Sequence, residues 1–184
     1  MSEYDFSEQA ALLEDAKYIL EDYGIEGWSF GGGTALSSYY YNHRMSYDID
    51  IFTEDRSSVQ KLIDYKETIC EGFGISVEDT EVSNSGITFI LSDIEHQLKL
   101  DFVESSYLTS EPFIIDEVLG LKNIKIQTPL EIIAKKVKHR KWHTHRVNES
   151  KIARAETRGT DLNFGQFGLK AMTQARITSN QLEA

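Results

Sequence analysis

Residues 30–52 read FGGGTALSSYYYNHRMSYDIDIF. A glycine turn leaves a short strand, an apolar and aromatic helix follows, and a strand bearing Asp48 and Asp50 closes the unit. Side chains alternate along a strand, so the two acids project from one face and Ile49 and Ile51 from the other. Carboxylates a few ångströms apart repel unless cations sit between them. Hard oxygen donors of this kind suit Mg²⁺, which takes one or two carboxylates together with substrate phosphates. Glycines at a helix start let backbone N–H groups approach a triphosphate at the positive end of the helix dipole. Either feature alone is ordinary, since D-x-D also marks a solvated strand face. Their order and separation describe a site for a metal-bound triphosphate.

Outward from this unit, residues 96–104 (HQLKLDFVE) turn Leu98, Leu100 and Phe102 one way and Lys99, Asp101 and Val103 the other. Asp101 supplies the further ligand that a two-metal site needs; its alternative is a solvent-facing acid paired with Lys99. Upstream, Leu12, Ala16, Ile19, Leu20 and Tyr23 form one stripe, which predicts a helix over 7–23 with Ser7 as cap and Gly24 as stop. Further helices are predicted over 34–41 and over 57–71, the latter capped by Ser57 or Ser58. Strands are predicted at WSF (28–30), ISVEDTEV (75–82), GITFILS (86–92) and LKNIKI (121–126), with a polar turn around Asp93 and Glu95. Thr128, Pro129 and Glu131 supply N-cap, N1 and N3 of another helix. The fold class is α/β, or α+β in a looser sense: a short mixed sheet carrying the three acids, flanked by helices, with a helical C-terminal portion. The expected division is a catalytic core over 1–127 and a basic portion over 128–184.

GGTAL at 32–36 followed by HRMSYDIDIF at 43–52 closely resembles the G-G-T-A-L…H-R-x-S-x-D-h-D-h signature of the AbiEii/AbiGii-type nucleotidyltransferases. These belong to the polymerase-β-like superfamily and include toxins of type IV toxin–antitoxin systems. The 14 residues between Gly33 and Asp48 match that family's spacing, HQLKLDFVE supplies the later strand with one acid, and IAKKVKHR resembles the lysine helix after the catalytic sheet. The resemblance implies the polymerase-β-like nucleotidyltransferase fold and transfer of a nucleoside monophosphate from an NTP to a hydroxyl. Gly32 and Gly33, with Thr34 behind them, would hold the β and γ phosphates. Asp48 and Asp50 would bind two Mg²⁺ ions, and Asp101 would complete the one that activates the acceptor. Lys135 or Lys136 would neutralise the triphosphate, and Arg44 and Ser46 would position groups around the glycine turn or acidic strand. For Arg44, an ion pair holding Asp48 or Asp50 is the alternative. Relatives that continue into helices carry R-D-x-x-D, whereas this chain has ETRGTDLNFG, with Arg158 and Asp161 apart.

The formal net charge of −11 hides a division. Residues 1–120 hold 25 acids and 6 bases, whereas residues 121–184 hold 5 acids and 13 bases. That asymmetry suits a polyphosphate or nucleic-acid partner, and equally two regions that attract each other. No run approaches the roughly 18 apolar residues of a membrane span, and MSEYDFSEQ lacks the basic and apolar regions of a signal peptide. A cytoplasmic protein with no membrane partner is expected. Cys70, the one cysteine, is read as a small buried apolar residue, and His139, His143 and His145 as a solvated basic helix end rather than a metal cluster.

Three functions follow from these residues. The first is a nucleotidyltransferase acting on RNA such as a tRNA 3′ end, or on protein, as a toxin with a cognate antitoxin. The second keeps the enzyme class with a cationic small molecule such as an aminoglycoside as acceptor. The third is a catalytically silent binding module on the same fold.

Overall fold

The computed structural model describes residues 4–92 and 97–139. The turn around Asp93 and Glu95, the histidines His143 and His145, Arg158, Asp161 and the helical content expected beyond 139 lie outside the described residues. Chain order is α1 (Ser7–Asp22), β1 (Ser29–Gly31), α2 (Gly32–Ala35), β2 (Asp48–Thr53), α3 (Arg56–Asp64), α4 (Lys66–Phe73), β3 (Thr80–Val82), β4 (Gly86–Ser92), β5 (Gln97–Glu104), β6 (Phe113–Val118), β7 (Leu121–Gln127) and α5 (Pro129–His139). The strands form a seven-stranded sheet in the order β3-β4-β5-β2-β1-β7-β6. β2 pairs parallel with β5 and β1 parallel with β7, while β1 and β2 are antiparallel.

The alternation in β2 and β5 decides which face is which. Ile49 stands opposite Leu100 and Ile51 opposite Phe102, with Ile87 and Phe89 of β4 continuing the same rows. All six are buried in one cluster with Leu12, Leu13, Ala16 and Leu20 of α1, Leu62 of α3, and Ile69 and Cys70 of α4. Truncating one of these, such as Leu13→Ala, removes about 2–5 kcal/mol of stability. Cys70 is buried as expected. The opposite face carries Asp48, Asp50 and Asp101.

Local chemistry redraws several boundaries. The helix predicted over 57–71 is two helices broken at Tyr65 (φ −101°, ψ 14°). Its cap is Asp55, which accepts from the Ser57 N–H at 2.9 Å and from both serine hydroxyls, so the two expected caps are donors to the true one. Ser7 likewise does not cap α1; its N–H is bound by Asp5 Oδ1 at 2.9 Å. The helix predicted over 34–41 starts earlier, at Gly32, and continues as a wider π-type turn over Leu36–Tyr41. There Ser37 and Ser38 return their hydroxyls to the carbonyls of Gly33 and Thr34 at 2.9 and 2.7 Å. In the strand predicted over 75–82, Ser76 and Asp79 form a reciprocal capping box around a 3₁₀ turn, leaving only Thr80–Val82 as strand. Phe113–Val118, where no strand is predicted, is the edge strand β6. The start of α5 is as predicted, with Thr128 Oγ1 accepting from the Glu131 N–H at 3.4 Å.

Candidate active site

Asp50 occupies the centre of the open face. It stands opposite Asp101 on β5 and opposite Gly31 on β1, and Asp48 stands opposite Lys99. The two parallel strands therefore bring together acids 51 positions apart in the sequence.

The glycine turn is built against these acids. Gly32 has φ +70°, where a side chain is strained, and a Cβ there would overlap the Asp50 carboxylate. Gly33 donates its N–H to that carboxylate. A Cβ on Gly33 would come within 3.1 Å of Ser46 Oγ and 3.2 Å of Arg44 Nη2, so both predicted positioning residues pack on the turn. Thr34 is fully buried and gives its hydroxyl to the Asp48 carbonyl. It pins the first turn of α2 to β2 from behind rather than facing the cleft.

Burial acts on all three acids, and like charges act on Asp50 and Asp101. Burial, then the charges of Asp101 and Asp48, push Asp50 up to about 7, opposed by Lys136 and the Gly33 N–H. Burial raises Asp48 as well, against Lys99 and Arg44, which pull it down. Asp101 is raised by burial and eased by the Thr88 hydroxyl, which donates to its Oδ1. Among the described residues, no three His, Cys, Asp or Glu groups converge tightly enough to cage an ion unaided. Asp50 and Asp101 are each turned to a protein donor, Gly33 N–H and Thr88 Oγ1, which a cation would displace. The donor chemistry, three carboxylates on two neighbouring strands with Asp50 and Asp101 held back from ionising by burial and like charge, fits a hard divalent cation.

A cleft of about 680 Å³ lies over this face, bordered by Gly32, Gly33, Asp48, Asp50, Arg44 and Ser46 on one side. That lies within the range of small-molecule sites. Both predicted lysines reach it from α5, but their surroundings differ. Lys135 is buried and paired with Glu131 at 3.5 Å, with its Nζ 4.3 Å from the centre of the Phe52 ring. Burial pulls its pKa down and Glu131 opposes that shift. Lys136 is the lysine whose charge acts on Asp50. Three contributors escaped the sequence reading: Lys99 as neighbour of Asp48, Glu131 as holder of Lys135, and Gln127 on the cleft wall. Lys99 was legible in the alternation of β5; the other two depend on which elements meet.

The cleft thus presents a glycine turn set on a double-acid strand, with a third acid on the parallel neighbour. Residues 20–158 match the model of the family described as nucleotidyl transferase AbiEii toxin, type IV TA system. The chain belongs to that family. A crystal structure of a candidate nucleotidyltransferase from H. pylori superposes with TM-score 0.40 at 16% identity, covering 71% of this chain and 58% of that one. The JHP933 structure from Helicobacter pylori gives 0.39 at 16% identity, with 71% and 56% covered. Curated relatives of a different kind also match. Large ribosomal subunit protein uL16 of Rhodopseudomonas palustris (strain BisB18) is 50% identical over 50 residues, which is 27% of this chain and 33% of that protein. The Rhodospirillum rubrum uL16 is 48% identical over 50 residues, with the same shares of each chain. The chain thus spans about a third of the length of these curated relatives. Among the described residues, no helix is long and apolar enough to cross a membrane.

Proposed function

We propose that the chain transfers a nucleoside monophosphate from an NTP to a hydroxyl of an acceptor and releases pyrophosphate. The observation that carries this reading is the meeting of Asp48, Asp50, Gly32, Gly33 and Lys136 at one cleft, with Asp101 in register beside Asp50. Asp48 and Asp50 would be the donors for two Mg²⁺ ions, and Asp101 would be the further carboxylate for one of them. When bound, the ions supply Lewis acidity toward the acceptor hydroxyl and the leaving oxygen. The protein's own groups do the remaining work. Gly32 and Gly33 offer backbone N–H groups to the phosphates, the Gly33 N–H exchanging its bond to Asp50 for one to substrate. Lys136 neutralises the triphosphate, while Lys135 holds the cleft wall. Arg44 and Ser46 orient the phosphates at Gly33. The acceptor oxygen bonds to the α-phosphorus as the α–β bridging bond breaks, the electron pair leaves on pyrophosphate, and Asp101 receives the acceptor's proton.

A second observation bears on the acceptor. A stretch of 50 residues is half identical to a component of the large ribosomal subunit, and 13 of the 19 Lys and Arg residues lie beyond residue 120. Both favour an RNA-bearing acceptor, a tRNA end or a ribosomal particle, over a cationic antibiotic, and make binding salt-sensitive. As a member of a toxin family the chain would be countered by a cognate antitoxin. The test incubates the full chain with each α-labelled NTP, Mg²⁺, and total tRNA, purified large ribosomal subunits, protein extract or an aminoglycoside panel. Label is expected in RNA and absent with Asp50→Asn. Label in the antibiotics would reverse the acceptor assignment, and no label in any acceptor from a folded chain would favour the silent binding module.

A further inference from the structure

Gln127 lies in the same lateral row as the acids. Phe30 stands opposite Ile126 on the parallel strand β7, so Gly31 and Gln127 come next in register. Gly31 in turn faces Asp50, and Asp50 faces Asp101. Because Gly31 has no side chain, the row is open between Asp50 and Gln127. The Gln127 amide reaches into that gap: a Cβ on Gly31 would lie 2.6 Å from its Oε1 and 2.8 Å from Cε2 of Phe52. The side chain is fully buried yet borders the cleft. Its Nε2 donates to Ser29 Oγ at 3.0 Å, and the Ser29 hydroxyl is also bonded to Tyr107. That arrangement fixes the amide's orientation and leaves Oε1 with no hydrogen-bond partner. A buried amide carbonyl without a donor is unfavourable, and a ligand that brings the donor recovers the loss.

The missing donor identifies that ligand. Asp101, on β5, flanks Asp50 on one side, where the acceptor hydroxyl is deprotonated in the reading above; Gln127, on β7, lies on the other, beside Phe52 and Ile132. Ionised phosphate oxygens only accept, so among the substrate's parts the nucleoside, with its hydroxyl and amino groups, is the one that brings Oε1 the donor it lacks, and the Phe52 ring beside it suits that half. We propose that Gln127 Oε1 accepts a hydrogen bond from the nucleoside half of the NTP, a ribose hydroxyl or a base amino group, and thereby selects among nucleotides. This rests on the nucleotide site proposed above.

Calorimetric titration of the full chain with Mg²⁺ tests it, using the four NTPs, their 2′- and 3′-deoxy and amino-lacking analogues, and inorganic tripolyphosphate. The wild type should lose about tenfold in affinity for the analogue lacking the recognised donor. Gln127→Leu should bind the parent NTP about tenfold more weakly, ignore that donor, and bind tripolyphosphate as the wild type does. Gln127→Met, a second near-isostere, covers the case in which leucine does not pack. Retained discrimination in either folded variant, or equal loss of NTP and tripolyphosphate, overturns the proposal while leaving the site intact. A folded wild type that binds neither NTP nor tripolyphosphate overturns the nucleotide site and this inference with it.

Discussion

Glu131 and Lys135 pair at 3.5 Å with side chains only 0% and 4% exposed. Glu131 also accepts from the Leu108 and Thr109 N–H groups and from the Thr109 hydroxyl at 2.8 Å. The pair thus ties the segment after β5 to α5 and forms the wall on which Phe52 and Tyr107 stack against the ammonium. Breaking one side of such a pair leaves a buried charge uncompensated. Glu131→Gln should therefore cost about 3 kcal/mol in urea unfolding. Glu131→Gln combined with Lys135→Met should recover much of that loss. A single variant as stable as wild type would show that the pair does not hold the wall.

Two glycines with the same backbone sign should behave differently. Gly24 has φ +60° with nothing within 4 Å of an added Cβ, so Gly24→Ala should cost about 1 kcal/mol and leave Mg²⁺-NTP binding untouched. Gly32→Ala meets both the strained φ of +70° and the Asp50 carboxylate. Its melting temperature should fall further, and calorimetry should find no Mg²⁺-NTP binding. Comparable binding by both variants would contradict the placement of Gly32 against the acid.

Stability should depend on pH through Asp50. Its pKa in the folded chain, about 7, lies above the ordinary value of 3.8. The folded state therefore holds the proton more tightly, and this group's stabilisation is fully present below about pH 4 and lost as pH rises to about 7. The raised pKa values of Asp48 and Asp101 act in the same direction. Added Mg²⁺ compensates the ionised cluster, so its stabilising effect should be small at pH 5 and reach about 3 °C or more at pH 8. Thermal scans at both pH values check this, and an equal Mg²⁺ effect at both would refute it.

Asp50→Asn separates function from stability. It removes the charge that Asp48 and Asp101 oppose while keeping an oxygen that accepts the Gly33 N–H. At pH 8 without metal the variant should melt higher than wild type by about 3 °C, and Mg²⁺ should no longer raise its melting temperature. A lower melting temperature would mean that the carboxylate's contacts outweigh its repulsion.

The period of two in DIDIF and KLDFV made the acid face legible, because every second residue there is an aliphatic or aromatic core residue. The start of α5 was legible for a similar reason, since cap, proline and glutamate act within four residues of each other. What escaped depends on distance. Lys135 and Lys136 are neighbours about 100° apart around a helix, and only the position of the sheet decides which becomes buried with Glu131 and which faces Asp50. β6 was hidden because Ile114 and Ile115 are adjacent and both exposed at the sheet edge, so no alternation marks it. Asp55 was masked by two serines that bind to it. Gln127 carries no local signal, since its role arises from lying beside Gly31 across strands about 96 residues apart.

The row from Asp101 through Asp50 and Gly31 to Gln127 crosses four adjacent strands. Neighbouring strands are held about 4.8 Å apart by their hydrogen bonds. Two such steps separate Asp50 from Gln127, roughly 10 Å, and one separates Asp50 from Asp101. On the proposed reading the sheet is in effect a gauge: it would set the span between where the phosphates are held and where the nucleoside is read. Loops around the cleft can diversify the acceptor freely, but that span changes only if a strand is inserted or removed.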